Sequence, residues 1–213
     1  MTRVEARERN RRALLDAAFE VVSRDGYRAK LEEIVERAGV TTGAVYSLFG
    51  SKSGLVVALA ADHLKPHYEE IHRAVTAEMD LGEAVGAFAR SSWRSAAAPS
   101  GRSEVSLQIT LVDMAVHDPE LGSQLAASIR AQEGQLTSLF TGRAHTDGTV
   151  THAQARRLVT ALRALFVSLR QGVVLGLAPD ADEEYFVAAA RALVSTSCLL
   201  EQPPTAGRPH DPQ

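Results

Sequence analysis

The chain is predicted to be all-α on three observations. Apolar residues recur at helical spacing along most of its length, several segments open on helix-capping residues, and neither an alternating strand pattern nor an Asn-Gly hairpin signal stands out. The first helix is expected from about Glu5 to Arg24, with Leu14, Ala17, Ala18, Val21 and Val22 at i, i+3, i+4, i+7, i+8. Asp25-Gly26 ends it, the glycine being suited to a left-handed cap. A short helix then carries Leu31, Ile34, Val35 and Ala38 on one face and stops at Gly39. Thr41 can cap the next helix, which turns Ala44, Val45 and Leu48 inward and ends at Phe49-Gly50. Two helices joined by so short a turn must cross steeply, as in a helix-turn-helix.

Ser51 can cap a fourth helix bearing Leu55, Val56, Leu59, Ala60 and His63, and Pro66 is expected to kink or break it. Later starts are marked by the capping box Asp80/Glu83, by Asp118 followed by Pro119, and by the capping box Thr151/Gln154. Pro99-Ser100-Gly101 and the stretch from Gly142 to Gly148 read as loops. Helices are expected over 151–177 and 182–201. Residues 202–213, with four prolines, read as a disordered tail. The predicted organisation is a helix-turn-helix domain over 1–52, a larger helical domain over 53–201, and the tail.

With 213 residues and 45% apolar content, the chain can bury a substantial core. Its net charge is −3, unevenly spread. Residues 1–52 hold ten Lys/Arg and eight Asp/Glu, a net of +2, against 13 and 18 in the remainder, a net of −5. Local positive charge beside an acidic larger domain suits a nucleic-acid binder with a separate second function. No run of eighteen apolar residues exists and the charged N-terminus lacks a secretory apolar run, so a cytoplasmic protein without membrane association is expected. Cys198 is the only cysteine, which excludes an internal disulfide and suggests a small buried hydrophobe. A Gly-rich phosphate loop, a G-x-S-x-G elbow, an H-E-x-x-H pair and a Cys/His nucleophile arrangement are all missing, so an enzyme is not expected. His63 and His67 are four apart but lack a third close ligand, so neither a metal nor another cofactor is expected.

The N-terminal end of a recognition helix enters the major groove, where Thr41, Thr42, Gly43 and Ala44 would face base edges and phosphates. Gly43 costs about 1 kcal/mol of helix propensity against alanine, which is economical if backbone and DNA approach closely. Tyr46, a turn along the outer face, can reach a phosphate, as can Lys52 at the start of the fourth helix. Taken singly, a half-buried aromatic and a solvated lysine are the default explanation of these two; together, at this spacing, they favour DNA.

The block from Arg12 to Leu59 resembles the TetR (tetracycline repressor) family. The matching features are Ala17-Ala18-Phe19, Gly26-Tyr27, Ile34, Ala38-Gly39-Val40, Thr41-Thr42-Gly43-Ala44-Val45-Tyr46, Phe49 and Ser51-Lys52-Ser53-Gly54-Leu55. The resemblance implies phosphate contacts at Tyr46 and Lys52, a homodimer, a palindromic DNA operator and release by a small-molecule effector. Members often carry Ser or Thr before the second helix. Here Ala29-Lys30-Leu31 removes that cap and leaves Lys30 to contact phosphate directly. Leu48 stands where many members have His.

Helix 151–177 is apolar nearly all round, with Leu158, Leu162, Leu165, Phe166, Leu169 and Val173 in one stripe and Ala161, Ala164, Ser168, Gly172 and Leu175 on another face. It needs two neighbours, and helix 182–201, with Phe186, Ala190, Leu193, Val194 and Ser197, is the natural first. The pair resembles the family's four-helix dimer interface, although packing within a monomer explains the same pattern. Phe88, Trp93, Gln108, Met114 and Phe166 are candidate lining residues of an effector pocket, with core packing as the alternative for each.

Overall fold

A computed structural model describes residues 2–146 and 148–195. Ser197, Cys198, the end of the predicted last helix and the predicted tail lie outside the described residues. Nine α-helices account for most of the described chain: α1 Arg3–Asp25, α2 Leu31–Ala38, α3 Thr42–Phe49, α4 Lys52–Ala74, α5 Leu81–Ala97, α6 Gly101–His117, α7 Pro119–Phe140, α8 His152–Val174 and α9 Glu183–Ser195. A 3-10 turn, Gly26–Arg28, follows α1. No single helix among the described residues is long and apolar enough to cross a membrane.

The expected caps at Ser51, Asp80, Asp118 and Thr151 all form, each side chain accepting backbone N–H groups of its helix's first turn. A further capping box, Thr2 with Glu5, starts α1 two residues earlier than expected. Thr41 occupies the N-cap position of α3, yet its side chain accepts no hydrogen bond, so the capping role expected of its hydroxyl is not observed. Pro66 does not break its helix: α4 runs on to Ala74. The proline sits on the exposed face, where water can satisfy the carbonyl that its missing N–H leaves free. The loop expected from Gly142 to Gly148 contains a minimal antiparallel ladder, β1 Ala144–His145 with β2 Gly148–Thr149, too short for alternation to reveal. Helix α8 stops at Val174, and Gly176 at φ +72° turns the chain away.

Two apolar cores result. One joins Leu14, Ala18, Val21, Ile34, Val45, Leu55 and Leu59 to Leu107, Met114, Leu121 and Leu125, so α6 and α7 pack directly against the N-terminal helices. The other surrounds α5, whose Leu81, Val85 and Phe88 meet Phe140, Leu158, Leu162, Phe186 and Ala190 from α7, α8 and α9. Helix α4 serves both, Leu55 and Val56 lying in the first and Ile71 in the second.

Candidate DNA-contact face and internal cavity

Gly39 ends α2 at φ +65°, its N–H returning to the carbonyls of Val35 and Glu36. Two residues later α3 begins. Val45 is fully buried against α1 and α4, which fixes the rotation of the short helix. Thr41, Gly43 and Tyr46 are thereby exposed, Tyr46 by 57%, while Thr42, Ala44 and Leu48 are half-buried. An added Cβ at Gly43 would meet nothing nearer than the Thr41 hydroxyl at 3.7 Å, so the protein's own packing does not require glycine there. Gly54 differs: its Cβ would fall 2.0 Å from the Phe49 carbonyl, so the abutment of α4 on α3 excludes any side chain.

Lys30 is exposed at the start of α2, which has no side-chain cap. Lys52 is half-buried, and its ammonium donates to the carbonyl of Ala29, tying the first residue of α4 to the segment entering α2. An ammonium has three donors, so this tie leaves others for an outside acceptor. That internal partner, 23 residues away in sequence, was not foreseen from the motif.

A cavity of about 420 Å3 lies between α4, α5, α6, α7 and α8. Phe88, Gln108 and Phe166 line it, Phe88 meeting Phe166 edge-on with centroids 4.9 Å apart. Trp93 instead packs at the edge of the core around α5, and Met114 is 5% exposed in the N-terminal core. Met114 borders a smaller pocket of about 240 Å3 that also touches Tyr27, Lys52 and His117.

The cavity's polar residues were mostly not foreseen. Glu104 accepts from Ser95 at 2.8 Å, Ser100 at 2.9 Å and Arg170 at 2.7 Å. Burial alone would raise its carboxyl, but the two hydroxyls and the guanidinium outweigh it and hold the group below its ordinary value. Burial lowers Arg170, whose Nε has no partner. His63 and His67 line the wall beside this pair, and burial depresses both, His67 to about 4 with Arg170 adding to the effect. Both imidazoles are therefore neutral near pH 7. No group of three or more His, Cys, Asp or Glu side chains suited to a metal occurs among the described residues.

Two helices connect the cavity to the N-terminal module. Helix α4 starts at Lys52 and carries His63 and His67. Helix α6 carries Glu104 and Gln108, and at its far end His117 stacks on Tyr27 of the 3-10 turn, with centroids 5.5 Å apart. On the opposite side of the larger domain, Ala164 and Ser168 are exposed, Gly172 is half-buried and Leu175 is 55% exposed. Tyr185, Ala188 and Ala192 of α9 are also exposed.

Residues 14–59 match the family described as bacterial regulatory proteins, tetR family. No curated protein matches the chain by sequence. Among solved structures, a TetR-family member from Streptomyces coelicolor A3 is similar at 24% identity and TM-score 0.60, covering 87% of this chain and 98% of that one. The fatty acid degradation regulator FadR from Bacillus halodurans is similar at 17% identity and TM-score 0.62, with coverage of 87% and 94%. A transcriptional regulator from a Rhodococcus species is similar at 18% identity and TM-score 0.61, again covering 87% and 94%.

Proposed function

We propose, from the match of residues 14–59 to the tetR family of bacterial regulatory proteins, that the chain is a DNA-binding transcriptional regulator, and more narrowly a cytoplasmic homodimeric repressor released from a palindromic operator by a small, largely apolar effector. The observation that carries this reading is the surface of α3. The residues facing outward from its first turns are small or hydroxylated, and Gly43 occupies a position where the protein itself would accept alanine. A glycine that costs helix stability and has no internal role fits close approach by an external surface. Thr41, Thr42, Gly43 and Ala44 would meet base edges and phosphates, while Lys30, Tyr46 and Lys52 would hold the backbone.

The test is salt-dependent binding. Tyr46→Phe and Lys52→Ala should weaken binding to all sequences alike, and Lys52→Ala should reduce the slope of log K against log salt by about one unit per protomer. Anisotropy titrations at several salt concentrations measure both. Sequence-selective loss at an unchanged slope would remove the phosphate role. Thermal melting of Lys52→Ala separates that role from the tie to Ala29.

The effector site of this reading is the cavity, a mostly apolar space with a set of polar groups in its lining, as small-molecule sites usually have. Phe88, Gln108 and Phe166 are the lining residues carried forward to it, with His63, His67, Glu104 and Arg170 added. An effector preferring the DNA-free conformation 100-fold weakens operator binding by about 2.7 kcal/mol at saturation, and DNA must weaken effector binding equally. Calorimetry of compounds found by thermal-shift screening, with and without operator, measures that coupling. Equal affinities in the two titrations would reject the sensor role and leave DNA binding untouched.

A further inference from the structure

The positive charge of the N-terminal module is concentrated in a part of it that lies outside the buried core. Residues 3–12 hold five arginines against Glu5 and Glu8, a net of +3, whereas residues 1–52 together hold only +2. This stretch precedes Leu14, where the family match and the buried core both begin, and none of its side chains is buried. It is nevertheless regular helix, closed by the Thr2/Glu5 capping box.

Arg3, Arg7 and Arg11 lie at i, i+4 and i+8, one above another on a single face. Like charges four apart destabilise a helix, and a cation in the first turn opposes the macrodipole. The row therefore does not serve the helix that carries it. Arg11 sits over the ring of Phe49, the last residue of α3, at 5.6 Å, so the row begins beside the recognition helix. Arg3 lies about 12 Å further along the axis. Among the described residues neither Arg3 nor Arg7 has an ion-pair or side-chain hydrogen-bond partner, whereas Arg12, on another face, is engaged by Asp16 and Asp62.

We propose that Arg3 and Arg7, continuing the line of Arg11, form a basic ridge that grips DNA backbone phosphates flanking the half-site read by α3. The inference rests on the DNA-binding reading above and extends it by a second contact surface. A helix closed by its own cap is too wide for a minor groove about 6 Å across, so the contact is with phosphates and is indifferent to flanking sequence. Guanidinium groups suit it, offering paired donors to phosphate oxygens.

The experiment uses the full chain and a duplex it selects from a random library, with versions whose flanks are long, shortened or changed in sequence. The double variant Arg3→Ala/Arg7→Ala should lower the salt slope by about 1.8 units per protomer, about 3.6 for the dimer, and the affinity by about tenfold or more at moderate salt. Its melting temperature should be unchanged or higher, because the substitutions relieve repulsion. The loss should vanish on the duplex with shortened flanks and persist when flank sequence is changed. Arg3→Lys/Arg7→Lys should restore most of the slope. If the double variant binds with the wild-type slope while Lys52→Ala lowers it, the ridge is wrong and the DNA-binding reading stands. If the wild-type chain selects no duplex, both are overturned.

Discussion

Replacing Glu104 with glutamine should cost the fold about 3–5 kcal/mol, because it leaves the buried Arg170 guanidinium without its counter-charge. The Arg170 side chain is 10% exposed and that of Glu104 22%, so bulk water can replace the lost interaction only in part. Ser95 and Ser100 already point their hydroxyls at the carboxylate, and the amide of glutamine can accept only part of that set. The double variant Glu104→Gln/Arg170→Met removes both charges and should recover most of the loss, methionine filling the space of the arginine stem. The acid limb adds a sign. Glu104 titrates below its ordinary value in the folded chain, so its contribution is fully present above the usual carboxylate range. It is lost as pH falls through that range to the depressed folded value. Urea unfolding of the wild type and both variants at neutral pH and across that acid window measures all three effects. A single variant as stable as the wild type would show that the pair does not hold α6 to α8.

The helix-turn-helix was legible because its signals are local. Val45 as the one buried residue of α3, Gly39 between two short helices and Ser51 before α4 each act within one or two turns, and periodicity and capping chemistry capture them directly. Of the kink or break expected at Pro66, the break does not occur, because a proline breaks a helix or not according to the face it occupies, and periodicity does not display that environment. The tie between Lys52 and Ala29 closes a loop of 23 residues that no spacing rule spans. The cavity was legible only in part. Hydrophobicity marks Trp93 and Met114 as enclosed just as it marks Phe88 and Phe166, but whether a side chain fills a core or lines a void depends on how five helices diverge. The more telling signal was polar. Glu104 lies one turn before Gln108, and Arg170 follows Phe166 by four within an apolar stripe, which are the places where a charge needs an explanation. Thr2-x-x-Glu5 is a capping-box pattern as well, but no buried apolar stripe follows it until Leu14, so periodicity alone does not mark that start.

Ala164→Glu should convert a dimer into monomers and lower operator affinity by about a thousandfold or more, taking each 1.4 kcal/mol as a factor of ten. Ala164, Ser168 and Gly172 of α8 and Leu175 at its C-cap recur every three or four residues, so they share a face, and Ala164, Ser168 and Leu175 are exposed in the single chain. Tyr185, Ala188 and Ala192 lie at three- and four-residue spacing on α9 and are open as well. Small residues let helix backbones approach closely, as a four-helix interface between two copies requires. Such an interface is isologous, so each protomer contributes the same substitution and the penalty counts twice. An unpaired carboxylate in a closed helix seam costs about 3 kcal/mol or more, and two of them exceed what a typical dimer can absorb. The monomer then holds a single half-site and loses the effective concentration that linkage gives to the second. Ala153→Glu, on the exposed first turn of the same helix, adds an equal charge where the N-terminal dipole favours it and should leave assembly and DNA binding intact. Sedimentation equilibrium beside anisotropy titrations separates the outcomes. A dimeric Ala164→Glu protein with full operator affinity would place the interface away from α8, while a monomeric one with full affinity would mean that a single copy recognises its site.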